Sequence, residues 1–261
     1  MTNYALDLQG SGAHNLYSVG PIKYLYEKKI PISQINGTSG GALCAILTAQ
    51  GDLDLLEHLW LTITNKDVLN LNLFNIINGE LSLYDSTPLL KTLQKYIKPE
   101  RLAQCQIPTY ITVTDLQTNT VVRVDVTKPN PNLAYMALAS ASIPGIFPRV
   151  FKRYVDGGVC DDYDIESSII NGADEVIFVQ PSVLGPVSYK TWPDVLMAVL
   201  SAAGAYNLEL QKQCAYLKNI PIRHIKPDGP QPWGVIDFNM KGIDRAAVIK
   251  QSYEDAKKVL G

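Results

Sequence analysis

The stretch ISQINGTSGGALCAILTAQ, residues 32–50, contains a short strand-like run, a glycine-rich turn and a run of helix formers. Within it, Gly37-Thr38-Ser39-Gly40-Gly41 matches the pattern G-x-S-x-G. Glycines on both sides of a serine let the backbone form a sharp strand-to-helix elbow, which holds the hydroxyl clear of its own chain. The stretch therefore predicts a strand, an elbow and a helix, with Ser39 as a candidate nucleophile. The alternative is an ordinary glycine-rich turn in which Ser39 only caps the helix.

A similar strand, loop and helix pattern precedes this stretch. Residues 4–8 are a short apolar run, Gln9-Gly10-Ser11-Gly12 is a glycine loop, and residues 16–26 carry apolar residues at helical spacing. Further strand-like runs occupy 110–115, 121–126, 175–180 and 222–226, and helical patterns occupy 86–97, 192–217 and 243–260. This alternation predicts one α/β domain, residues 1–261, whose mainly parallel sheet is covered by helices on both faces. In such sheets the functional site lies beyond the carboxyl ends of the strands.

The composition excludes several classes of protein. Of the 261 residues, 46% are hydrophobic and 18% are charged, which predicts a globular protein with a large core. A formal net charge of -2 leaves no basic field to attract nucleic acid. The N-terminus has no basic segment leading into an apolar run, and no apolar run approaches the roughly 20 residues of a membrane span, so we expect a cytoplasmic protein. The cysteines lack the Cys-x-x-Cys spacing of zinc sites and the density of a disulfide framework.

A serine nucleophile needs a base, and the sequence offers two candidates. Asp156 precedes two glycines, which let the chain turn so that the carboxylate points into a cleft, although an ordinary Asp-Gly turn is the alternative. A carboxylate is a weak base at neutral pH, so we expect Asp156 to be partly buried with a raised pKa. His224 is the other candidate, because Ser39, Asp156 and His224 follow the chain order of a Ser-Asp-His triad. The residues before Ser39 have room for only about two strands, which argues against that triad.

The loop Gly10-Ser11-Gly12 is a candidate oxyanion site. Small residues between a first strand and a first helix leave backbone N–H groups free to converge on an anion. A dinucleotide fingerprint is excluded because position 15 is Asn and the second strand ends without an acid. A Walker-type phosphate loop is excluded because the Gly-Lys-Ser/Thr ending is missing.

Four segments together resemble the patatin-like phospholipases. Residues 9–20 resemble the glycine-rich oxyanion loop and first helix of that family, and residues 37–42 resemble its nucleophile elbow. Asp156-Gly157-Gly158 is similar to its catalytic aspartate motif, and residues 139–148 to the stretch before that motif. The resemblance implies a three-layer α/β/α patatin-like fold. It also implies a Ser-Asp dyad that hydrolyses acyl esters of phospholipids or other lipids without a metal or organic cofactor.

Carried over position by position, the resemblance assigns roles to the motif residues. Ser39 would be the nucleophile and Asp156 the general base. The oxyanion would be bound by the backbone N–H groups of Gly10, Ser11, Gly12 and Gly40, and the motif glycines are Gly37, Gly41, Gly157 and Gly158. The expected partner is a lipid or other acyl-ester substrate, and a small apolar patch could allow peripheral contact with a membrane. Nucleic acid is not expected, and the sequence indicates no oligomeric state.

The chain also departs from the family pattern. Ser11, His14 and Asn15 stand where the family has glycine, arginine and glycine. Acids at 161, 162 and 164 follow the aspartate motif, and they would raise the pKa of Asp156 if they lay within a few ångströms. Residues 68–84 could form an apolar flap over an acyl groove, or pack as a strand and turn. Two alternatives to lipid hydrolysis therefore stay open: a short-chain esterase or thioesterase, and a non-catalytic lipid-binding module.

Overall fold

A computed structural model of the chain describes residues 2–72, 74–77, 82–183 and 192–261. In the described part, the strands are β1 (Tyr4–Leu8), β2 (Ile32–Thr38), β3 (Asn70–Leu71), β4 (Tyr84–Asp85), β5 (Thr109–Asp115), β6 (Thr120–Asp125), β7 (Tyr154–Asp156), β8 (Glu175–Val179) and β9 (Ile222–Ile225). The α-helices are α1 (Val19–Glu27), α2 (Gly40–Ala49), α3 (Leu53–Thr62), α4 (Asn65–Val68), α5 (Phe74–Ile77), α6 (Thr87–Tyr96), α7 (Pro99–Leu102), α8 (Leu133–Ser140), α9 (Ile165–Ile170), α10 (Trp192–Leu217) and α11 (Arg245–Leu260). Short 3₁₀-helices occupy Gly12–Ser18 and Gly157–Val159.

The main sheet has the strand order β6-β5-β2-β1-β8-β9. Neighbouring strands are parallel throughout the part β5-β2-β1-β8-β9. The strands β6 and β7 both run antiparallel to β5. Side chains of β1 alternate between two hydrophobic cores, because Leu6 and Leu8 belong to one cluster and Ala5 to the other. Helices cover both faces, which confirms the predicted three-layer α/β/α class with a mainly parallel sheet.

The pairing along β5 positions the candidate site. β2 pairs with the first part of β5 and stops at Thr38, which lies opposite Thr112. Beyond Thr112, β7 pairs with the same edge of β5, and Asp156 lies opposite Val113. The end of β2 and the end of β7 therefore meet at consecutive residues of β5. The strand β7 was not predicted from the sequence.

Two segments differ in detail from the expected elements. The first helix begins as a 3₁₀-helix and becomes α-helical only at Val19, so that Pro21 falls in the first α-helical turn, where its missing N–H needs no partner. The candidate flap at 68–84 is described only in part, because residues 73 and 78–81 lie outside the described residues. In its described part, β3 and β4 pair antiparallel. No described helix is both long enough and apolar enough to cross a membrane.

Candidate active site

Ser39 lies at a strained elbow between β2 and α2. Its φ of 54° and ψ of -123° are rare for a residue with a side chain. The elbow requires glycine at two positions: a Cβ on Gly37 would lie 2.4 Å from the carbonyl oxygen of Gly41, and a Cβ on Gly41 would lie 2.1 Å from that of Leu8. The N–H of Ser39 donates to the Ser140 hydroxyl at 3.0 Å, which fixes the turn. The predicted strand, elbow and helix are all present.

Asp156 is buried beside Ser39 at the end of β7. Its Oδ1 accepts the N–H of Gly158 at 2.8 Å, whereas its Oδ2 is buried and meets no donor in hydrogen-bonding geometry among the described residues. Burial raises the pKa of Asp156 to about 7, although the nearby Ser39 hydroxyl and the Gly158 amide favour the carboxylate. Gly157 is needed because a Cβ there would lie 2.3 Å from the carbonyl oxygen of Thr112. Asp156 can therefore exchange a proton near neutral pH.

The glycine loop lies against the elbow, and two of its amides are engaged. The N–H of Gly10 donates to Asp162 Oδ1 at 3.0 Å, and that of Ser11 donates to Asn15 Oδ1 at 2.8 Å. Gly12 and Gly40 each begin a helix, so their N–H groups have no partner within the helix. Of the four oxyanion donors predicted from the sequence, Gly12 and Gly40 are the two whose amides have no acceptor among the described residues.

Two of the departures from the family pattern hold this loop in place. Asn15, which accepts the N–H of Ser11, also donates its Nδ2 to the carbonyl of Gln9 at 2.8 Å. His14 donates Nε2 to the carbonyl of Trp233 at 2.6 Å, so its Nδ1 is the acceptor that faces the Ser11 hydroxyl at 3.4 Å. Burial lowers the pKa of His14. His14 therefore acts as a neutral packing residue, and its bonds are with the loop and Trp233.

The acids after the aspartate motif are organised by a residue that the sequence analysis did not single out. Arg123 on β6 binds Asp161 at 2.6 Å and Asp164 at 2.9 Å. Burial, with the charge of Asp161, raises the pKa of Asp164 to about 6. Burial is the largest cause of the raised pKa of Asp156, and a charge interaction with Asp156 raises the pKa of Asp162. A lone arginine on a β-strand carries no motif that could have revealed this pairing.

His224 lies far from the elbow. In the strand order, β9 is three strands from β2, a separation of roughly 14 Å across the sheet. Its Nε2 lies 2.8 Å from Gln180 Oε1, and burial together with the charges of Lys212 and Lys226 lowers its pKa to about 4. His58 is exposed on α3. The structure therefore brings Asp156 to Ser39, whereas His224 and His58 lie outside the lining of their shared cavity.

Two cavities meet at Ser39. The larger one, of about 560 Å³, contains Ser39 and Asp156 in its lining and is bounded on one side by Leu200 and Gly204 of α10. The smaller one, of about 50 Å³, is almost entirely apolar and lies on the side of Trp60 and Phe147. The helical pattern at 192–217 predicted α10, but not its position as a wall of the site.

A mainly parallel sheet with a serine elbow at its carboxyl edge is an arrangement that acyl hydrolases use. The family model of the patatin-like phospholipases matches residues 6–169, well over half of the chain and including Ser39 and Asp156. The chain therefore belongs to the patatin-like phospholipase family. This family is one of lipid acyl hydrolases, and membership supports that general class of activity.

Among solved structures, VipD from Legionella pneumophila is similar to this chain. The match has a TM-score of 0.51 and 12% sequence identity, and it covers 99% of this chain and 66% of that chain. At this identity the likeness supports the fold alone. The chain thus spans just under two thirds of the VipD chain. No curated protein sequence matches this chain.

Proposed function

We propose that this protein is a serine acyl hydrolase in which Ser39 and Asp156 form a catalytic dyad that cleaves fatty-acyl esters of lipids. One observation carries the proposal. The buried Asp156 carboxyl has an oxygen with no hydrogen-bond partner in the described part of the chain, and it lines the same cavity as a serine held at a strained elbow. Strained backbone and perturbed carboxyl groups concentrate at functional sites.

The dyad can perform both halves of the reaction. Asp156 takes the proton of the Ser39 hydroxyl while the serine oxygen attacks the ester carbonyl carbon. The tetrahedral intermediate collapses, the bond to the leaving alcohol breaks, and that alcohol receives the proton from Asp156. Water then loses a proton to Asp156 and attacks the acyl-enzyme, which releases the fatty acid and returns the proton to Ser39. A carboxyl pKa of about 7 suits this exchange, because donor and acceptor forms are both populated at neutral pH.

The oxyanion of the tetrahedral intermediate needs donors that are free before the reaction. The N–H groups of Gly12 and Gly40 meet this condition in the described structure, because each begins a helix and donates to no other described backbone group. The loop and the elbow are in close contact, since a Cβ on Gly40 would lie 2.9 Å from the carbonyl oxygen of Gly12. Preorganised donors of this kind each contribute on the order of 10²-fold or more to the rate. We assign the oxyanion site to these two amides.

The larger cavity is the proposed site of the lipid acyl chain. Its volume of about 560 Å³ lies within the range of small-molecule pockets, roughly 300–1,000 Å³. The outer face of its wall, α10, exposes Val199, Tyr206 and Leu210. An exposed apolar face beside a lipid site is compatible with peripheral contact with a membrane, which stays a prediction.

The smaller cavity supports a second candidate function, a short-chain esterase or thioesterase. Its volume of about 50 Å³ has room for roughly four water-sized groups, which would suit a short acyl chain with the leaving alcohol in the larger cavity. The two candidates differ in which cavity receives the acyl group. A series of esters of increasing acyl length separates them, because a fall in kcat/KM beyond about four carbons would favour the short-chain enzyme.

Product analysis tests the lipid hydrolase proposal. The wild-type protein and its Ser39→Ala variant are incubated with a mixed lipid extract presented as vesicles, and released fatty acids are quantified by mass spectrometry. We expect free fatty acid and the matching lyso-lipid or alcohol from the wild type only. Equal release by Ser39→Ala, or no release by either protein, would count against the proposal, and the latter would favour a non-catalytic lipid-binding module.

A further inference from the structure

The carboxyl group of Asp162 lies at the junction of the glycine loop and the elbow. Its Oδ1 accepts the N–H of Gly10 and its Oδ2 accepts Gln9 Nε2, both at 3.0 Å. A Cβ built on Gly10 would lie 2.6 Å from Asp162 Oδ1 and 2.7 Å from the Cβ of Ser39. Asp162, Gly10 and Ser39 are thus packed together so tightly that no side chain fits at position 10.

We propose that Asp162 is a positioning residue that stays protonated while Asp156 is ionised, and that it anchors the glycine loop beside Ser39 through the amide of Gly10. This inference rests on the proposed function, because it concerns the same Ser39–Asp156 site. The two buried carboxyl groups would then have separate tasks. Asp156 would exchange the proton of Ser39, and Asp162 would hold the loop without adding a second negative charge.

The contacts of Asp162 suit a neutral acid. Its Oδ1 can accept the Gly10 N–H in either protonation state. The Gln9 amide is buried and its Oε1 has no partner among the described residues. Turned by 180°, that amide presents Oε1 to the Asp162 hydroxyl, so the protonated acid keeps both hydrogen bonds. An asparagine at this position could make the same two contacts.

The surroundings of Asp162 oppose its ionisation. Burial and then the charge of Asp156 raise the pKa of Asp162 well above its usual range, and Asp161 acts in the same direction. The other titratable groups around it are the Tyr163 phenol, whose own pKa is raised to a value above the ordinary range, and His14 and Glu209, which line the same cavity.

Two neighbouring carboxyl groups whose pKa values differ lose their protons one after the other. Like charges at short range cannot both be stabilised in a dry site, so the pair retains one proton after the first has left. Burial is the largest cause of the raised pKa of both groups, and the charge of Asp156 raises the pKa of Asp162 further. The proposed order, in which Asp156 ionises first, follows from this further effect and from the two contacts of Asp162, which a neutral acid can keep. Separation of two carboxyl pKa values is the usual sign of distinct roles.

The Asp162→Asn variant tests this order of ionisation. It preserves the acceptor for Gly10 and cannot ionise, so we expect the rate of Ser39 labelling by a fluorophosphonate to keep its inflection near pH 7. If Asp162 were charged while Asp156 titrates, removal of that charge would lower the inflection by a unit or more, which would overturn the inference. The Asp162→Ala variant frees the Gly10 amide and should lower the labelling rate by about 10- to 100-fold, with retention of the folded state checked by circular dichroism.

A second readout does not depend on catalysis. The infrared difference spectrum of the Ser39→Ala protein minus its Asp162→Asn variant at pH 8 should contain a carboxylic-acid band, because Asp7, whose pKa is about 8, contributes equally to both proteins and cancels. Glu209→Gln is the matched control, because Glu209 lines the same cavity and is ion-paired with Lys212, and the corresponding difference spectrum should lack the band. Absence of the band from the Asp162→Asn difference spectrum would overturn the inference while leaving the Ser39–Asp156 proposal to its own test.

Discussion

Asp7 carries a pH-dependent cost to stability that substitution should remove. This residue of β1 is fully buried; its Oδ1 accepts Asn36 Nδ2 and the Ser168 hydroxyl, both at 2.7 Å. Its Oδ2 has no hydrogen-bond partner among the described residues. Burial raises the pKa of Asp7 from 3.8 to about 8, with smaller contributions from neighbouring acids. The folded state therefore holds a proton that the unfolded state releases.

Because the pKa is higher in the folded state, the free energy of unfolding falls as pH rises from about 4 to about 8. At about 1.36 kcal/mol per pKa unit, the loss amounts to about 2 kcal/mol at pH 5 and about 5 kcal/mol at pH 8. Asp7→Asn keeps the Oδ1 acceptor and cannot ionise. The difference in the free energy of unfolding between this variant and the wild type should therefore be larger at pH 8 than at pH 5, by about 3 to 4 kcal/mol in favour of the variant.

Urea unfolding of both proteins at pH 5 and pH 8 measures this difference directly. Subtraction of the wild type at each pH removes the contributions of all other titrating groups. Asp54→Asn, at an exposed acid in the first turn of α3, serves as the control for the loss of a surface carboxylate. A difference for Asp7→Asn that stays within about 1 kcal/mol between the two pH values would refute the reasoning.

Three further predictions concern the site. Because the carboxylate of Asp156 is the base and its pKa is about 7, hydrolysis of a soluble ester should slow about tenfold per pH unit below pH 7, and a flat profile down to pH 5 would contradict this role. His224→Ala should leave ester hydrolysis within about twofold of the wild type, since β9 is three strands from β2; loss of activity in the folded variant would restore a histidine triad. Gly41→Ala should lose about 1–3 kcal/mol of stability in a thermal melt, because its Cβ would meet the Leu8 carbonyl oxygen, whereas Gly229→Ala, with open space around it, should be tolerated.

The local parts of the fold and site could be predicted from the sequence. Residues 32–50 revealed β2, the elbow and α2, because a glycine-flanked serine between an apolar run and helix formers is a local signal. Asp156 could be selected for the same reason, since the two glycines after it are adjacent in the chain. Its burial was expected from the chemistry that a carboxylate base requires.

The parts that could not be predicted depend on contacts between distant residues. Nothing in the three residues of β7 indicates that this strand follows β2 along β5, although that pairing brings Asp156 to the elbow. The engagement of the Gly10 and Ser11 amides depends on the side chains of Asp162 and Asn15, which a glycine count does not include. Side-chain packing across the sheet decides such contacts, and it has no periodic pattern in the sequence.

Covalent labelling tests the dyad most directly. Folded wild-type protein, Ser39→Ala and Asp156→Asn are treated with a fluorophosphonate near pH 8, and the modified peptide is identified by mass spectrometry. We expect one adduct, on Ser39, in the wild type, none on that peptide in Ser39→Ala, and a rate lowered by about 10²-fold or more in Asp156→Asn. An unmodified Ser39 in the folded wild type, or labelling of Asp156→Asn at the wild-type rate, would contradict the proposed pairing of this serine with this carboxyl group.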